Sequence, residues 1–159
     1  MSKIVCFGEV LWDVFPTHKK IGGAPLNVAL RLNSLGNEVF IVSKVGNDEN
    51  GTKLIDFINA NGVSTDFIQI DDNYETGTVK VVLNDKGSAS YDIEFPRAWD
   101  KIQSFDKLMT LVEESDAFYY GSLVARGDMS KRTLFELIEK AKYKICDLNL
   151  RPPNYTTEG

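Results

Sequence analysis

Gly22-Gly23-Ala24-Pro25-Leu26-Asn27 joins a short polar run to an apolar pattern of helical period that stops at Gly36. The paired glycines carry no Cβ, so this backbone can lie tight against a ligand. Pro25 suits the first turn of a helix, where its missing N–H leaves no bond unmade. Asn27 falls in the same turn with an amide that both donates and accepts. A glycine turn feeding a helix offers free N–H groups and a positive dipole end to a hydroxylated or anionic group. The plainer alternative is a turn with no ligand, since short glycine motifs are weak signals.

Outward from this turn, strand and helix patterns alternate. Residues 4–8 read as a buried strand, 25–35 as a helix with Leu26, Ala29 and Leu30, then Leu35, near helical spacing, and 39–45 as an apolar strand. Asp48 is placed to cap a helix that carries Leu54, Ile55 and Ile58 inward and ends at Asn61-Gly62, before a strand over 67–70. This order predicts a parallel sheet covered on both faces. The pattern then changes. Thr76–Leu83 and Ser88–Phe95 alternate around the turn Asn84-Asp85-Lys86-Gly87, which predicts an antiparallel hairpin with one wet face. A hairpin inserted into such a chain is either an edge feature or a flap. After Trp99, Ser104 and Ser130 are placed to cap helices that precede strands, the second at 143–146.

Polar residues at the carboxyl ends of the predicted strands are the candidates for chemistry, because open α/β sheets bind ligands there. Asp13 follows the first strand within Gly8-Glu9-Val10-Leu11-Trp12-Asp13, and its two carboxylate oxygens suit two neighbouring hydroxyls. Asp147-x-Asn149-x-Arg151 follows the last predicted strand. Asn149 is suited to hold a metal or phosphate oxygens, and Arg151 offers phosphate a fixed fork of donors. The plain reading of the same pattern is a strand-end turn with a surface arginine. Ser122 ends another strand. Phe95 could stack on the face of a ligand and Arg97 could reach a hydroxyl, while Phe95 and Trp99 could equally be core; Arg126 is a further, weaker candidate.

Glycine pair, asparagine, helix, Gly36, strand, Gly46, acidic turn and Gly51 together resemble, without a gap, the amino-terminal signature of the ribokinase-like carbohydrate kinases (PfkB family), and most resemble the fructokinases. The resemblance implies a three-layer α/β/α sheet, incomplete here, with a small β lid from strands at approximately 10–21 and 74–96. Residues 1–159 would be the amino-terminal part of one kinase domain. It implies that Asp13, Gly22, Gly23 and Asn27 hold the sugar, with Phe95, Arg97 and Ser122 near it. Asn149 and Arg151 would face the transferred phosphate of ATP with Mg²⁺, and the lid would form a homodimer contact. The second signature of the family, D-T-x-G-A-G-D, is absent from the 159 residues. In the family it supplies the general base and the phosphate anion hole, so this chain alone is expected to show no kinase turnover. Stopping after Arg151 should leave apolar sheet surface uncovered and favour association or poor solubility.

Composition bounds the alternatives. A chain of 159 residues supports one substantial core, and 43% hydrophobic with 26% charged residues is ordinary for a globular protein. A net charge of −5 argues against nucleic acid as a partner held by general electrostatics. No apolar run approaches the ~20 residues of a membrane span. Cys6 and Cys146, both in apolar strand-like runs, read as buried free thiols of a cytoplasmic protein, and a single histidine makes a histidine-based metal cluster or triad implausible. A Rossmann dehydrogenase lacks its G-x-G-x-x-G, and a P-loop kinase lacks its motif. The competing readings are a non-catalytic sugar-binding or dimerisation module, and a relative that phosphorylates a nucleoside or keto-sugar acid.

Overall fold

A computed structural model describes residues 1–149. Five parallel strands form the main sheet: β1 (Lys3–Phe7), β4 (Glu38–Gly46), β5 (Ile68–Asp71), β8 (Ala117–Gly121) and β9 (Lys144–Asp147), in the order β5-β4-β1-β8-β9. The apolar residues of the central strands alternate between two cores. Val5, Phe7, Val42 and Phe118 meet α3 (Asp106–Glu114) and α4 (Asp128–Lys140) through Leu108, Leu111, Val112, Leu134 and Leu137. Ile4, Cys6, Val39, Ile41 and Tyr119 meet α1 (Ala24–Ser34) and α2 (Glu49–Ala60) through Leu26, Ala29, Leu54 and Ile58. A strand buried on both faces must be apolar throughout, which is why these strands lack a polar stripe. The result is the expected helix–sheet–helix sandwich.

A second sheet of four strands runs β3-β2-β6-β7, from β2 (Leu11–Val14), β3 (Lys19–Gly22), β6 (Gly77–Leu83) and β7 (Ala89–Ile93). β2 pairs antiparallel with β3 and parallel with β6, and β6 pairs antiparallel with β7. The chain leaves the main sheet at the end of β1, builds β2 and β3, and re-enters the body through the glycine turn into α1.

Asp48 caps α2 as expected, and it does more. Its carboxylate accepts from the Gly51 N–H at 2.8 Å, the Thr76 N–H at 2.8 Å and the Thr76 hydroxyl at 2.7 Å. Burial pushes its pKa up, but the bonds from Thr76, Gly51 and Asn50 outweigh this and hold it below the usual carboxylate range. Gly51 packs so closely that a Cβ there would lie 2.3 Å from the Gly46 carbonyl oxygen. The second half of the glycine signature therefore closes a structural corner.

Several expectations are corrected. Ser104 does not cap α3; Phe105 stands at that position, and the Ser104 hydroxyl donates to Glu136. Ser130 lies inside α4, where its hydroxyl donates to the Trp99 carbonyl and accepts from the Ile102 N–H. The first helix spans Ala24–Ser34 rather than 25–35, so Leu35 caps it and is exposed. Cys6 is buried and its thiol is pushed up to about 12 by desolvation, but Cys146 is exposed: no helix among the described residues covers β9. On the hairpin, Val79 and Val81 are buried, whereas Val82, Leu83 and Tyr91 near its tip are exposed. Arg151 lies outside the described residues.

Candidate functional site

The first turn of α1 begins at Gly23, whose φ of 108° is one that residues with a Cβ rarely adopt. A Cβ at Gly23 would sit 2.4 Å from the carbonyl oxygen of Glu9, so the turn lies directly on the link between β1 and β2. The Gly23 carbonyl accepts the Asn27 N–H at 3.0 Å. No side chain caps this helix end, and its first turn holds no acidic residue. Apart from the Ala24 N–H, which faces the Glu9 carboxyl, the N–H groups of this positive end are thus left to another partner. Asn27 is exposed in that turn, and its side-chain amide makes no hydrogen bond among the described residues.

Asp13 meets the turn from the small sheet. It pairs with Lys20 across β2 and β3, and its Oδ2 lies where a Gly22 Cβ would come within 2.4 Å. Half-buried, its carboxyl is raised above the ordinary value by desolvation, with Lys20 acting in the opposite direction. The structure therefore brings Asp13, Gly22, Gly23 and Asn27 together around one helix end.

The other candidates divide. Ser122 sits at the carboxyl end of β8, where its hydroxyl donates to the Leu148 carbonyl at 2.6 Å and its N–H to the Asp147 carbonyl at 3.0 Å. It ties the ends of β8 and β9 together. Asn149 is exposed just beyond β9, with φ 43° and its N–H donating to Asp147 Oδ1 at 2.9 Å. Phe95 is 61% exposed, so it is not core, whereas Trp99 is fully buried. Arg97 is drawn away from Asp13. Its guanidinium pairs with Glu75 and Glu94, and Glu94 accepts from Thr78. Thr78 neighbours Val79, the partner of Asp13, so alternation along β6 puts Thr78 on the opposite face from Asp13. A cavity of about 250 Å³ opens on the Arg97 side, lined by Asp48, Asn50, Glu75, Thr76 and Thr78 among others, and none of the four converging residues lines it. Its carboxylates are already matched, Asp48 to Thr76 and Gly51, Glu49 to Lys53 and Glu75 to Arg97, while most N–H groups of the α1 end are not, so the turn is the better candidate.

Arg126 is a structural tie. It forks onto the buried Asp100 at 2.8 and 2.9 Å, donates to the Ile93 and Glu94 carbonyls at 3.2 and 2.7 Å, and lies over the rings of Trp99 and Phe95. It clamps β7 to the body.

Glu9 was missed. It stands between β1 and β2, only 3% exposed, and its Oε2 has no hydrogen-bond partner among the described residues. Burial pushes its carboxyl up to about 7, against the lowering effect of its own N–H, the Ala24 N–H and Arg126; Asp147 adds to the rise. The signal was available: Glu9 is the acid nearest the carboxyl end of β1, where the strand-end rule points.

Among the described residues no group of three or more His, Cys, Asp or Glu side chains is placed to hold a metal ion, and no helix is long and apolar enough to cross a membrane.

Comparison with known proteins follows this geometry. The family model "pfkB family carbohydrate kinase" matches residues 1–158. A fructokinase of Solanum tuberosum is 30% identical over 173 residues, taking in 98% of this chain and 54% of the potato protein. The crystal structure of an uncharacterized sugar kinase from Pyrococcus horikoshii superposes with a TM-score of 0.85 at 30% identity, covering 94% of this chain and 54% of that one. The same sugar kinase in complex with ATP gives a TM-score of 0.83 at 30% identity, with 93% and 53% covered. The chain spans about half the length of these relatives.

Proposed function

This chain belongs to the pfkB family of carbohydrate kinases, and on that premise we propose that it carries the sugar-binding part of a fructokinase-like enzyme that phosphorylates a sugar hydroxyl with ATP. The observation that carries this reading is the uncapped amino end of α1 at Gly23, faced by Asp13 across Gly22 and bearing Asn27. A polyol has what this arrangement lacks: oxygens for the free N–H groups and hydroxyl hydrogens for the carboxylate.

In this reading Asp13 accepts from two neighbouring hydroxyls and fixes the face of the sugar. The α1 end and the Asn27 amide donate to its oxygens, and the small sheet acts as a lid over it. When bound, ATP supplies the phosphoryl group, and transfer depends on in-line positioning and charge neutralisation. The exposed Asn149 amide is the described group that would face the transferred phosphate; Arg151, expected to share that role, lies outside the described residues. The Mg²⁺ expected with the nucleotide would be held chiefly by its phosphate oxygens and water, as no group of three or more His, Cys, Asp or Glu side chains is placed for a metal among the described residues. A homodimer contact through the exposed lid residues Val82, Leu83 and Tyr91, and a cytoplasmic setting, complete the proposal.

Calorimetric titration of the chain with D-fructose and with ATP tests it, alongside a coupled assay for ADP. The expected result is fructose binding with no useful turnover, because a missing general base and phosphate cradle each remove a factor of about 10² or more. No binding of fructose or related sugars would sink the sugar assignment. Robust ADP release would refute the expected inactivity.

A further inference from the structure

We propose that Glu9 is a positioning residue of the acceptor site: its buried carboxyl holds the amino end of α1, and with it the Gly22–Gly23 turn, in the geometry that receives the sugar. The inference rests on the reading of that turn as the acceptor site. A glutamate is almost never fully buried unless it is paired. Glu9 is 3% exposed, and Oε2 is unpartnered among the described residues. The groups that lower its pKa include two backbone N–H groups that face the carboxyl, its own and that of Ala24, the first residue of α1. Its main chain touches the same turn, since the Glu9 carbonyl oxygen occupies the space a Gly23 side chain would need. Backbone and side chain of one residue thus hold a helix end that has no other cap.

The surroundings make this grip sensitive to protonation. Arg126 approaches from the 3₁₀ turn Leu123–Arg126, Asp147 from the end of β9, and Tyr119 from β8. The Tyr119 hydroxyl is already bonded to Asp147 Oδ2 at 2.9 Å, and the turn itself, Gly22 to Pro25, brings no titratable side chain. The carboxyl sits close to neutrality, at about 7. Ionised, it is the stronger acceptor for the Ala24 N–H and is favoured by the helix dipole. Protonated, it loses that advantage. Acceptor affinity should therefore rise as pH passes upward through neutrality.

The test is a pH titration of the whole chain, from about pH 5 to about pH 9, following the Gly23 and Ala24 amides by NMR. Both amides of the wild type should titrate with a midpoint near 7, and Glu9→Gln should flatten them. D-Fructose affinity, measured by calorimetry at the same pH values, should tighten about tenfold across the midpoint in the wild type and stay weak and flat in Glu9→Gln. Flat Gly23 and Ala24 amides in the wild type would overturn the proposal, whether or not Glu9→Gln folds. Titration that persists unchanged in a folded Glu9→Gln would overturn it as well. Titrating amides in a chain that binds no fructose at any pH would support the grip of Glu9 on the turn and instead sink the sugar reading.

Discussion

Replacing Arg126 by alanine should strongly destabilise this protein at the junction of its two sheets. Asp100 is fully buried, and Arg126 meets both of its oxygens with a planar fork at 2.8 and 2.9 Å. Without the guanidinium the carboxylate keeps one described partner, the Arg97 N–H at 2.8 Å. Removing one member of a buried ion pair typically costs about 3–5 kcal/mol, because the remaining charge is left uncompensated. The Ile93 and Glu94 carbonyls lose their bonds as well, at roughly 1 kcal/mol each. Stacking over Trp99, at 3.9 Å to the ring centroid, is also lost. Against this, the Arg126 side chain is 20% exposed, so water can enter and relieve part of the penalty. The net expectation is a loss of about 3–5 kcal/mol, a large part of the roughly 5–15 kcal/mol that stabilises an ordinary domain.

Urea unfolding at neutral pH would measure it, provided the slope is unchanged. Arg126→Lys keeps the charge but not the fork, so it should recover only part of the loss. Pairing Arg126→Ala with Asp100→Asn should recover part of it too, since the orphaned charge is then gone. A loss under about 1 kcal/mol for Arg126→Ala would refute the view that this pair carries an uncompensated charge when broken.

Three further outcomes are expected. Asp13→Asn should weaken D-fructose binding by about 10- to 100-fold in calorimetry while leaving the unfolding midpoint nearly unchanged, because a charge-assisted acceptor is lost without altering the shape of the site. Gly23→Ala should be strongly destabilising in thermal melts, since the new Cβ meets the Glu9 carbonyl oxygen at 2.4 Å; Gly36→Ala, also at positive φ (85°) but with nothing within 4 Å, should cost only about 1 kcal/mol. Glu9 should make stability fall with rising pH: its folded pKa lies above its ordinary 4.5, so between 4.5 and about 7 the native state holds a proton that the unfolded chain has released. That difference is worth roughly 3 kcal/mol, fully present below 4.5 and lost above 7, and it should vanish when Glu9→Gln is compared with the wild type by urea unfolding at both ends of the window.

What the sequence made legible was periodic or local. Ile4 and Cys6 face one core and Val5 and Phe7 the other, so a strand buried on two faces announced itself as an unbroken apolar run. The turn, Asp13 and Asn27 were legible because they lie within one short segment. Helix starts were not: Ser104 and Ser130 look like caps in sequence, but tertiary partners, Glu136 for one and Trp99 with Ile102 for the other, claim their hydroxyls. Arg97 could not be placed until the register of β2 on β6 was known, because that pairing decides which face of the sheet each residue shares with Asp13. Glu9 was obscured by Asp13. Two acids in one hexapeptide look equivalent until burial separates the one that can meet a ligand from the one that supports the turn.

This division bears on how the site is held. Residues 8–27 supply the supporting acid, the wall with Asp13, and the helix end, all in one excursion of the chain through β2 and β3. Such a segment is assembled easily, since little loop-closure entropy stands in the way, but β3 is an edge strand and β2 is braced on its other side by β6. β6 is in turn held by β7, and β7 is fastened to the body by Arg126 through the Ile93 and Glu94 carbonyls. Asp13 thus depends for its position on a residue more than a hundred positions away that need not touch any ligand of the turn. Arg126→Lys, if it folds, should weaken D-fructose binding and speed hydrogen exchange along β7 together. If exchange along β7 quickens while affinity stays at the wild-type value, then β2 and β3 are held by the glycine turn and Glu9 alone.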